Sequence, residues 1–223
     1  MNGRLFVKAL TRFLAGLVLF GLLLFLPAGT FRYPQGWLLV GVLFVPIFIM
    51  GIVLMIKNPE LLAKRLNARE KESEQRAVVL FSGIMFLAAF IMAGLSFRFG
   101  WLMLPFPVSI VAAVVFVSSY VLYAEVLREN TYLSRTIEVQ ENQKVIDTGL
   151  YGIVRHPMYM ATVILFLAMP LVLGSVISFV IMLCYIPIIV KRIRNEEQVL
   201  AKDLPGYEDY MKKVKHRLIP FIW

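Results

Sequence analysis

Long apolar runs alternate with short polar segments along this chain. Several runs approach or exceed the roughly 20 residues that an α-helix needs to cross a bilayer, and helical spans are predicted at residues 13–26, 36–56, 77–97 and about 106–126. A helix is the expected form of each span, because it pairs its backbone polar groups within the segment. With 60% hydrophobic residues among 223, the chain is predicted to be an integral, multi-pass membrane protein.

The last apolar run, residues 158–190, is predicted to form a hairpin. It is too long for one helix across about 30 Å of hydrocarbon. Pro170 and the pair Gly174-Ser175 mark a turn near its middle. We therefore predict two short helices, at residues 157–169 and about 175–194.

The positions of the basic residues predict which ends of the spans face the cytoplasm. The formal net charge is +9, and lysine and arginine accumulate in the cytoplasmic loops of membrane proteins. They concentrate in the N-terminus and in segments 57–76, 127–156 and 191–223, whereas the opposite loops contain only Arg32 and Arg98. We therefore expect both termini and both C-terminal polar segments on the cytoplasmic face. This distribution explains the basic charge better than a nucleic-acid partner does.

The tail after the hairpin has the pattern of an amphipathic helix. Its apolar side is formed by Tyr207, Tyr210, Met211, Val214 and Leu218. Such a helix could lie on the lipid interface or fold over segment 127–156 and roof a pocket, and the two are compatible. The predicted fold class is therefore all-α: a polytopic transmembrane helix bundle with four spans, a C-terminal helical hairpin and a cytoplasmic amphipathic cap helix.

Two polar clusters flank the hairpin. The first is the ring-rich segment 149–159, in which Pro157 is suited to the first turn of a helix and His156 to its cap. The second, residues 191–197, places Arg192 and Glu196 on one helical face. Taken separately, the clusters could be interfacial anchors and a surface ion pair worth about 0.3–0.5 kcal/mol. A hairpin, however, returns both to the same membrane face, which indicates a ligand site.

The order of these motifs resembles a known enzyme family. The chain reads Gly149-x-Tyr151-x-x-x-Arg155-His156-Pro157-x-Tyr159, and after the hairpin it continues with Glu196-Glu197, Gly206-x-x-x-Tyr210 and Arg217-x-x-Pro220. This set resembles the isoprenylcysteine carboxyl methyltransferase and phospholipid methyltransferase superfamily, and the chain looks like a short prokaryotic-type member. The resemblance covers roughly the C-terminal 90 residues. We expect a single domain over residues 1–223, with N-terminal spans in 1–100 and a catalytic core in 101–223.

The resemblance implies methyl transfer from S-adenosylmethionine to a lipidic or small hydrophobic acceptor at the cytoplasmic face of a prokaryotic membrane. Arg192 corresponds to the catalytic, substrate-orienting arginine of the carboxyl methyltransferase branch. In one departure, Gln143 stands where many relatives have a histidine. The cofactor contacts that the resemblance implies are Gln140, Gln143, Lys144, Val145, Ile146, Tyr151, His156, Pro157, Met158, Tyr159 and Glu196.

The types of residue in the two polar clusters suit methyl transfer independently of the resemblance. Methyl transfer from a sulfonium chiefly requires positioning, which can contribute up to about 7–11 kcal/mol, and it requires no metal. Aromatic rings can enclose a cationic methylsulfonium, and Glu196 can accept hydrogen bonds from the cofactor. Arginine can bind a carboxylate through two parallel N–H groups, so Arg192 favours a carboxylate acceptor.

Two other function classes remain open from the sequence. The first is an NADPH-dependent membrane reductase of the sterol type, because such reductases have a related helical core and similar Arg-His-Pro segments. The second is a non-enzymatic membrane scaffold subunit. In all three cases the expected partners include membrane lipids, and for the methyltransferase also a lipophilic substrate.

Overall fold

The computed structural model describes residues 3–67, 73–130, 132, 139 and 141–223. Helices account for the architecture of these residues, which confirms the predicted all-α bundle. Within these described ranges, five helical segments are long and apolar enough to cross a membrane: Gly3–Ala28, Pro34–Lys57, Leu80–Phe99, Phe106–Glu129 and Val176–Asp203. The protein is thus an integral, multi-pass membrane protein. The helices are α1 (Gly3–Ala28), α2 (Pro34–Lys57), α3 (Pro59–Asn67), α4 (Ser73–Phe99), α5 (Phe106–Glu129), α6 (Pro157–Val172), α7 (Val176–Met182), α8 (Tyr185–Asp203) and α9 (Tyr207–Lys213), with a 3₁₀ turn at Gly149–Gly152.

Several helices extend beyond the predicted apolar runs. Helix α1 begins at Gly3 rather than at residue 13, α8 continues to Asp203, and the short helix α3 was not predicted. Apolar runs mark only the part of a helix that faces lipid or protein. A helix continues into water wherever its polar residues keep the helical conformation.

Helix α5 packs extensively on α6, and α1 on α4. Small residues allow these helices to approach closely, as is common between membrane helices. At Gly94 of α4, an added Cβ would lie 2.7 Å from the Leu24 carbonyl oxygen of α1, so this crossing requires glycine. The core around these contacts consists mainly of aliphatic and aromatic side chains, including Leu24, Phe25, Tyr33, Leu39, Phe90, Phe116, Val172 and Leu173.

The predicted hairpin is formed by α6, α7 and α8, and its tip, residues 173–175, is tied to the loops beside it. The Tyr33 hydroxyl donates a hydrogen bond of 2.7 Å to the Leu173 carbonyl. The Leu104 N–H donates to the Gly174 carbonyl at 2.8 Å. The tip therefore lies with the α1–α2 and α4–α5 loops, at the end of the bundle opposite to segment 141–156.

The second arm of the hairpin is interrupted between α7 and α8, at residues 183–184. Pro187 lies three residues into α8. Because proline has no N–H and its ring crowds the carbonyl four residues earlier, it disfavours a regular helix at Leu183. Beyond this break α8 runs out to Asp203 and brings Arg192, Glu196 and Glu197 to the site described next.

Candidate active site

A cavity opens at the end of the bundle opposite to the hairpin tip. Its empty space amounts to about 830 Å³, part of it open to solvent. Its walls come from the end of α5, the segment after it, and helices α6, α8 and α9. They consist of Asn130, Tyr132, Gln143, Lys144, Val145, Ile146, Tyr151, Arg155, His156, Met158, Tyr159, Arg192, Glu196, Leu200, Leu204, Tyr207 and Tyr210.

The 3₁₀ turn at Gly149–Gly152 places Tyr151 in this wall. Gly149 has φ +51°, and a Cβ there would overlap the carboxylate of Glu129 at the end of α5. The same carboxylate accepts a hydrogen bond of 3.0 Å from the Leu150 N–H. Glycine is therefore favoured by the backbone conformation, and a larger residue would also displace the Glu129 carboxylate from its bond to Leu150.

Tyr151 is fixed from two further sides. Its hydroxyl accepts a hydrogen bond from the Asn130 side-chain amide at 3.0 Å. Its carbonyl accepts one from the Tyr210 hydroxyl of α9 at 2.7 Å. The tyrosine thus joins α5, the segment before α6 and α9.

A buried ionic cluster centred on Glu197 holds the two halves of the site together. Glu197 Oε1 lies 2.7 Å from Arg155 Nε and 3.2 Å from His156 Nε2. Its other oxygen lies 2.7 Å from Arg217 Nε. The Arg155 and Glu197 side chains are each only 5% exposed, so each charge depends on the other for compensation.

The segment after α9 is clamped by the same residues. The N–H groups of Arg155 and His156 donate to the carbonyls of His216 and Arg217 at 2.9 and 2.8 Å. The Arg155 guanidinium also donates to the Val214 carbonyl at 2.7 Å. These bonds hold the backbone extended, which explains why the amphipathic helix predicted to reach Leu218 ends at Lys213.

Helix α9 lies over the site as a roof, one of the two placements that its pattern allowed. Tyr207, Tyr210 and Val214 are buried in a cluster with Leu204, the residue that follows α8, and Val145 packs against them. The roof therefore covers the segment that contains residues 143–146.

A chain of hydrogen bonds joins the two polar clusters inside the cavity. The Tyr159 hydroxyl of α6 donates to a carboxylate oxygen of Glu196, and it accepts a hydrogen bond of 2.9 Å from Arg192 Nε. The His156 ring stacks on the Tyr159 ring, with 5.7 Å between centroids. Arg192, which was predicted to orient the substrate, thus forms a hydrogen bond directly with Tyr159, a predicted cofactor contact.

The phenols around the cavity are neutral hydrogen-bonding groups. Burial raises the pKa of Tyr151 to about 12, partly offset by the hydrogen bond from Asn130. Burial, followed by the charges of Glu197 and Glu196, raises the pKa of Tyr207 further above its ordinary value. Both hydroxyls stay protonated at neutral pH.

The cavity brings together ten of the residues singled out in the sequence. They are Gln143, Lys144, Val145, Ile146, Tyr151, His156, Met158, Tyr159, Arg192 and Glu196. Pro157 is buried at the start of α6 and does not line the cavity. Gln140 lies outside the described residues.

Other lining residues were not predicted. Leu200 of α8 and Leu204, the residue after α8, continue the interval of four set by Arg192 and Glu196, so a longer helix prediction would have placed them on the same face. Asn130 follows the fourth span without any sequence signal. Tyr207 was assigned only to the apolar side of the tail.

The comparisons with known proteins agree with this region of the chain. Residues 109–202 match the model of the isoprenylcysteine carboxyl methyltransferase (ICMT) family. The match covers α6, α7 and nearly all of α5 and α8, and it confirms the resemblance drawn from the sequence motifs. Together with the five apolar helices, it supports a membrane methyltransferase.

The chain is also similar to a sterol reductase. It is 31% identical over 91 residues to the Delta(14)-sterol reductase TM7SF2 of Mus musculus. The matched stretch covers 40% of this chain and 22% of the reductase, so the chain corresponds to less than a quarter of that protein's length.

Proposed function

We propose that the protein transfers a methyl group from S-adenosylmethionine to a lipidic or small hydrophobic acceptor, with a carboxylate favoured. One observation carries the proposal: Arg192, Tyr159 and Glu196 form a continuous hydrogen-bonded chain inside one cavity. Acceptor and cofactor groups held at the two ends of this chain would be close neighbours. Direct methyl transfer requires such proximity.

The side chains present fit this cofactor. Tyr151, His156 and Tyr159 offer aromatic surfaces to a nucleoside and to a cationic sulfonium. The Glu196 carboxylate can accept hydrogen bonds from hydroxyl or ammonium groups. The bound cofactor would supply a methyl group that is already activated as a sulfonium, so the protein's task is to bind and orient.

We propose that Arg192 orients the acceptor. Its Nε donates a hydrogen bond to the Tyr159 hydroxyl, and Tyr159 belongs to an apolar cluster with Tyr185 and Ile189, so a lipophilic acceptor held by Arg192 would meet apolar side chains beside its polar group. Arginine binds a carboxylate through two parallel N–H groups. A carboxylate is ionised at neutral pH, because its ordinary pKa is about 4, and it needs no general base.

The orientation of the site follows the basic residues. The cavity end contains Lys144, Arg155 and Arg192, whereas no basic residue lies in the hairpin tip at the other end. Because lysine and arginine accumulate on the cytoplasmic side, we propose that the cavity and both termini face the cytoplasm of a prokaryotic cell.

A reductase that uses NADPH is the second candidate, and the similarity to the Delta(14)-sterol reductase favours it. NADPH carries several negative charges. In this cavity Arg155 is already paired with Glu197, and Glu196 adds a negative charge to the wall. Lys144 and Arg192 also line the cavity, so charge alone does not separate the two candidates. The family match over residues 109–202 favours the methyltransferase.

Ligand binding by the purified full chain in detergent tests the proposal. We expect calorimetric titration to show saturable binding of S-adenosylhomocysteine and none of NADPH at comparable concentrations. Binding of NADPH without S-adenosylhomocysteine would establish the second candidate. Binding of neither would remove both.

A further inference from the structure

One tyrosine of the cavity differs from its neighbours, because its hydroxyl has no hydrogen-bond partner in the part of the chain that the structure describes. Tyr151, Tyr159 and Tyr210 each form a hydrogen bond through the phenol oxygen. Tyr207 also lines the cavity and is only 4% exposed, yet its hydroxyl has no hydrogen-bond partner among the described residues. A buried donor left unpaired costs about 1–3 kcal/mol, so its retention requires an explanation.

The surroundings of Tyr207 indicate which ligand group would pair with it. Its pKa is raised by burial and then by the negative charges of Glu197 and Glu196, with Arg155 opposing them, so the phenol is a neutral donor. Glu197 is already paired with Arg155 and Arg217, so Glu196 is the carboxylate that would repel a ligand carboxylate here. An uncharged acceptor, such as a ring nitrogen or a ribose oxygen, fits better.

Its position in the roof indicates which ligand would carry that group. Tyr207 packs in the cluster with Leu204 and Tyr210, and Val145 of the predicted cofactor segment packs against that cluster. Arg192 lies on the other side of the cavity, where it donates a hydrogen bond to Tyr159 of α6. Tyr159 belongs to the apolar cluster that also contains Tyr185 and Ile189. The ligand that reaches Tyr207 is therefore the water-soluble cofactor rather than the lipophilic acceptor.

From these observations we infer that the Tyr207 hydroxyl donates a hydrogen bond to an uncharged acceptor atom of the cofactor's nucleoside, an adenine ring nitrogen or a ribose oxygen. The inference rests on the proposed function. It adds a binding residue that neither the sequence motifs nor the resemblance assigned.

The variant Tyr207→Phe tests the inference, because it removes only the hydroxyl. In the full chain we expect the affinity for S-adenosylhomocysteine to fall about tenfold, the loss typical of one hydrogen bond. Without ligand, the thermal midpoint should stay the same or rise, because an unpaired buried polar group has been removed. An affinity within twofold of the natural chain would overturn the inference.

Two further measurements distinguish a contact with the nucleoside from a contact with the rest of the ligand, and a ligand-binding role from a structural one. We expect Tyr207→Phe to weaken binding of 5′-methylthioadenosine, which retains the nucleoside but lacks the aminocarboxyl group, by the same factor. Loss confined to S-adenosylhomocysteine would overturn the nucleoside assignment. As a matched comparison, Tyr210→Phe should lower the ligand-free thermal midpoint, because its hydroxyl is bonded to the Tyr151 carbonyl. If the natural chain binds neither nucleoside, the proposed function itself fails.

Discussion

The two ends of the hairpin are held by different kinds of interaction. At the tip, neutral groups form the contacts: the Tyr33 hydroxyl with a backbone carbonyl, and the Ser175 hydroxyl with Ser96 at 3.0 Å. At the cavity end, Arg155, Arg217 and His156 surround Glu197. The tip is therefore held by single neutral hydrogen bonds, whereas the cavity end combines a buried ion cluster with polar groups that line the cavity.

The adjacent residues Glu196 and Glu197 show this division at its sharpest. Glu197 is buried and bonded to three basic side chains. Glu196 lines the cavity and accepts a hydrogen bond from Tyr159. Consecutive helical positions point in directions about 100° apart, since an α-helix has 3.6 residues per turn, so one glutamate can support the site while the other contacts its ligand.

Replacing Glu197 should have the largest effect on stability. Glu197→Ala leaves Arg155 buried without its counter-charge, and we expect the free energy of unfolding to fall by about 3–5 kcal/mol. Thermal unfolding in detergent measures this loss. Glu196→Gln is the matched control, for which we expect a nearly unchanged thermal midpoint but weaker S-adenosylhomocysteine binding. Equal destabilisation by both variants would contradict the assignment of a supporting role to Glu197 and a ligand-binding role to Glu196.

Replacing Arg192 should separate turnover from cofactor binding. Arg192→Ala is expected to lower methyl transfer by about 100-fold, the scale of loss when a reacting group is misplaced. Because the guanidinium is proposed to hold the acceptor, S-adenosylhomocysteine affinity should change less than threefold. Calorimetry and a radiolabelled methyl-transfer assay with lipid extracts give the two values. A parallel loss of affinity would assign Arg192 to the cofactor instead.

Replacing Tyr33 at the hairpin tip should have the smallest effect. Tyr33→Phe removes one buried hydrogen bond to Leu173, and we expect the free energy of unfolding to fall by about 1 kcal/mol. Ligand affinity should remain unchanged, because the tip lies at the other end of the bundle. A loss of affinity in this variant would show that the two ends are coupled.

Much of this architecture could be predicted from the sequence, because apolar length and basic loops report directly on membrane helices. The turn at Gly174-Ser175 and the convergence of Tyr159 with Glu196 follow from the same pattern. The role of Glu197 could not be predicted, since a surface and a buried glutamate look alike until the partners are known. Arg155, His156 and Arg217 reach it from sequence separations of 42, 41 and 20 residues.

The residue at which α9 ends could not be predicted from the sequence either. The apolar spacing of Tyr207, Tyr210, Val214 and Leu218 is helical, and all four residues are indeed buried. Yet the backbone after Lys213 bonds to Arg155 and His156 instead of continuing the helix. Arg155 and His156 lie far from this segment along the chain, so the sequence around Lys213 does not show that their hydrogen bonds replace those of the helix.

The most direct test of the central claim is an experimental structure of the protein with S-adenosylhomocysteine bound. We predict ligand density in the cavity between the 143–146 segment and the α6–α8 hairpin, with Tyr151, Tyr159 and Glu196 in contact with it. Density elsewhere, at the hairpin tip or on the outer surface of the bundle, would contradict the account.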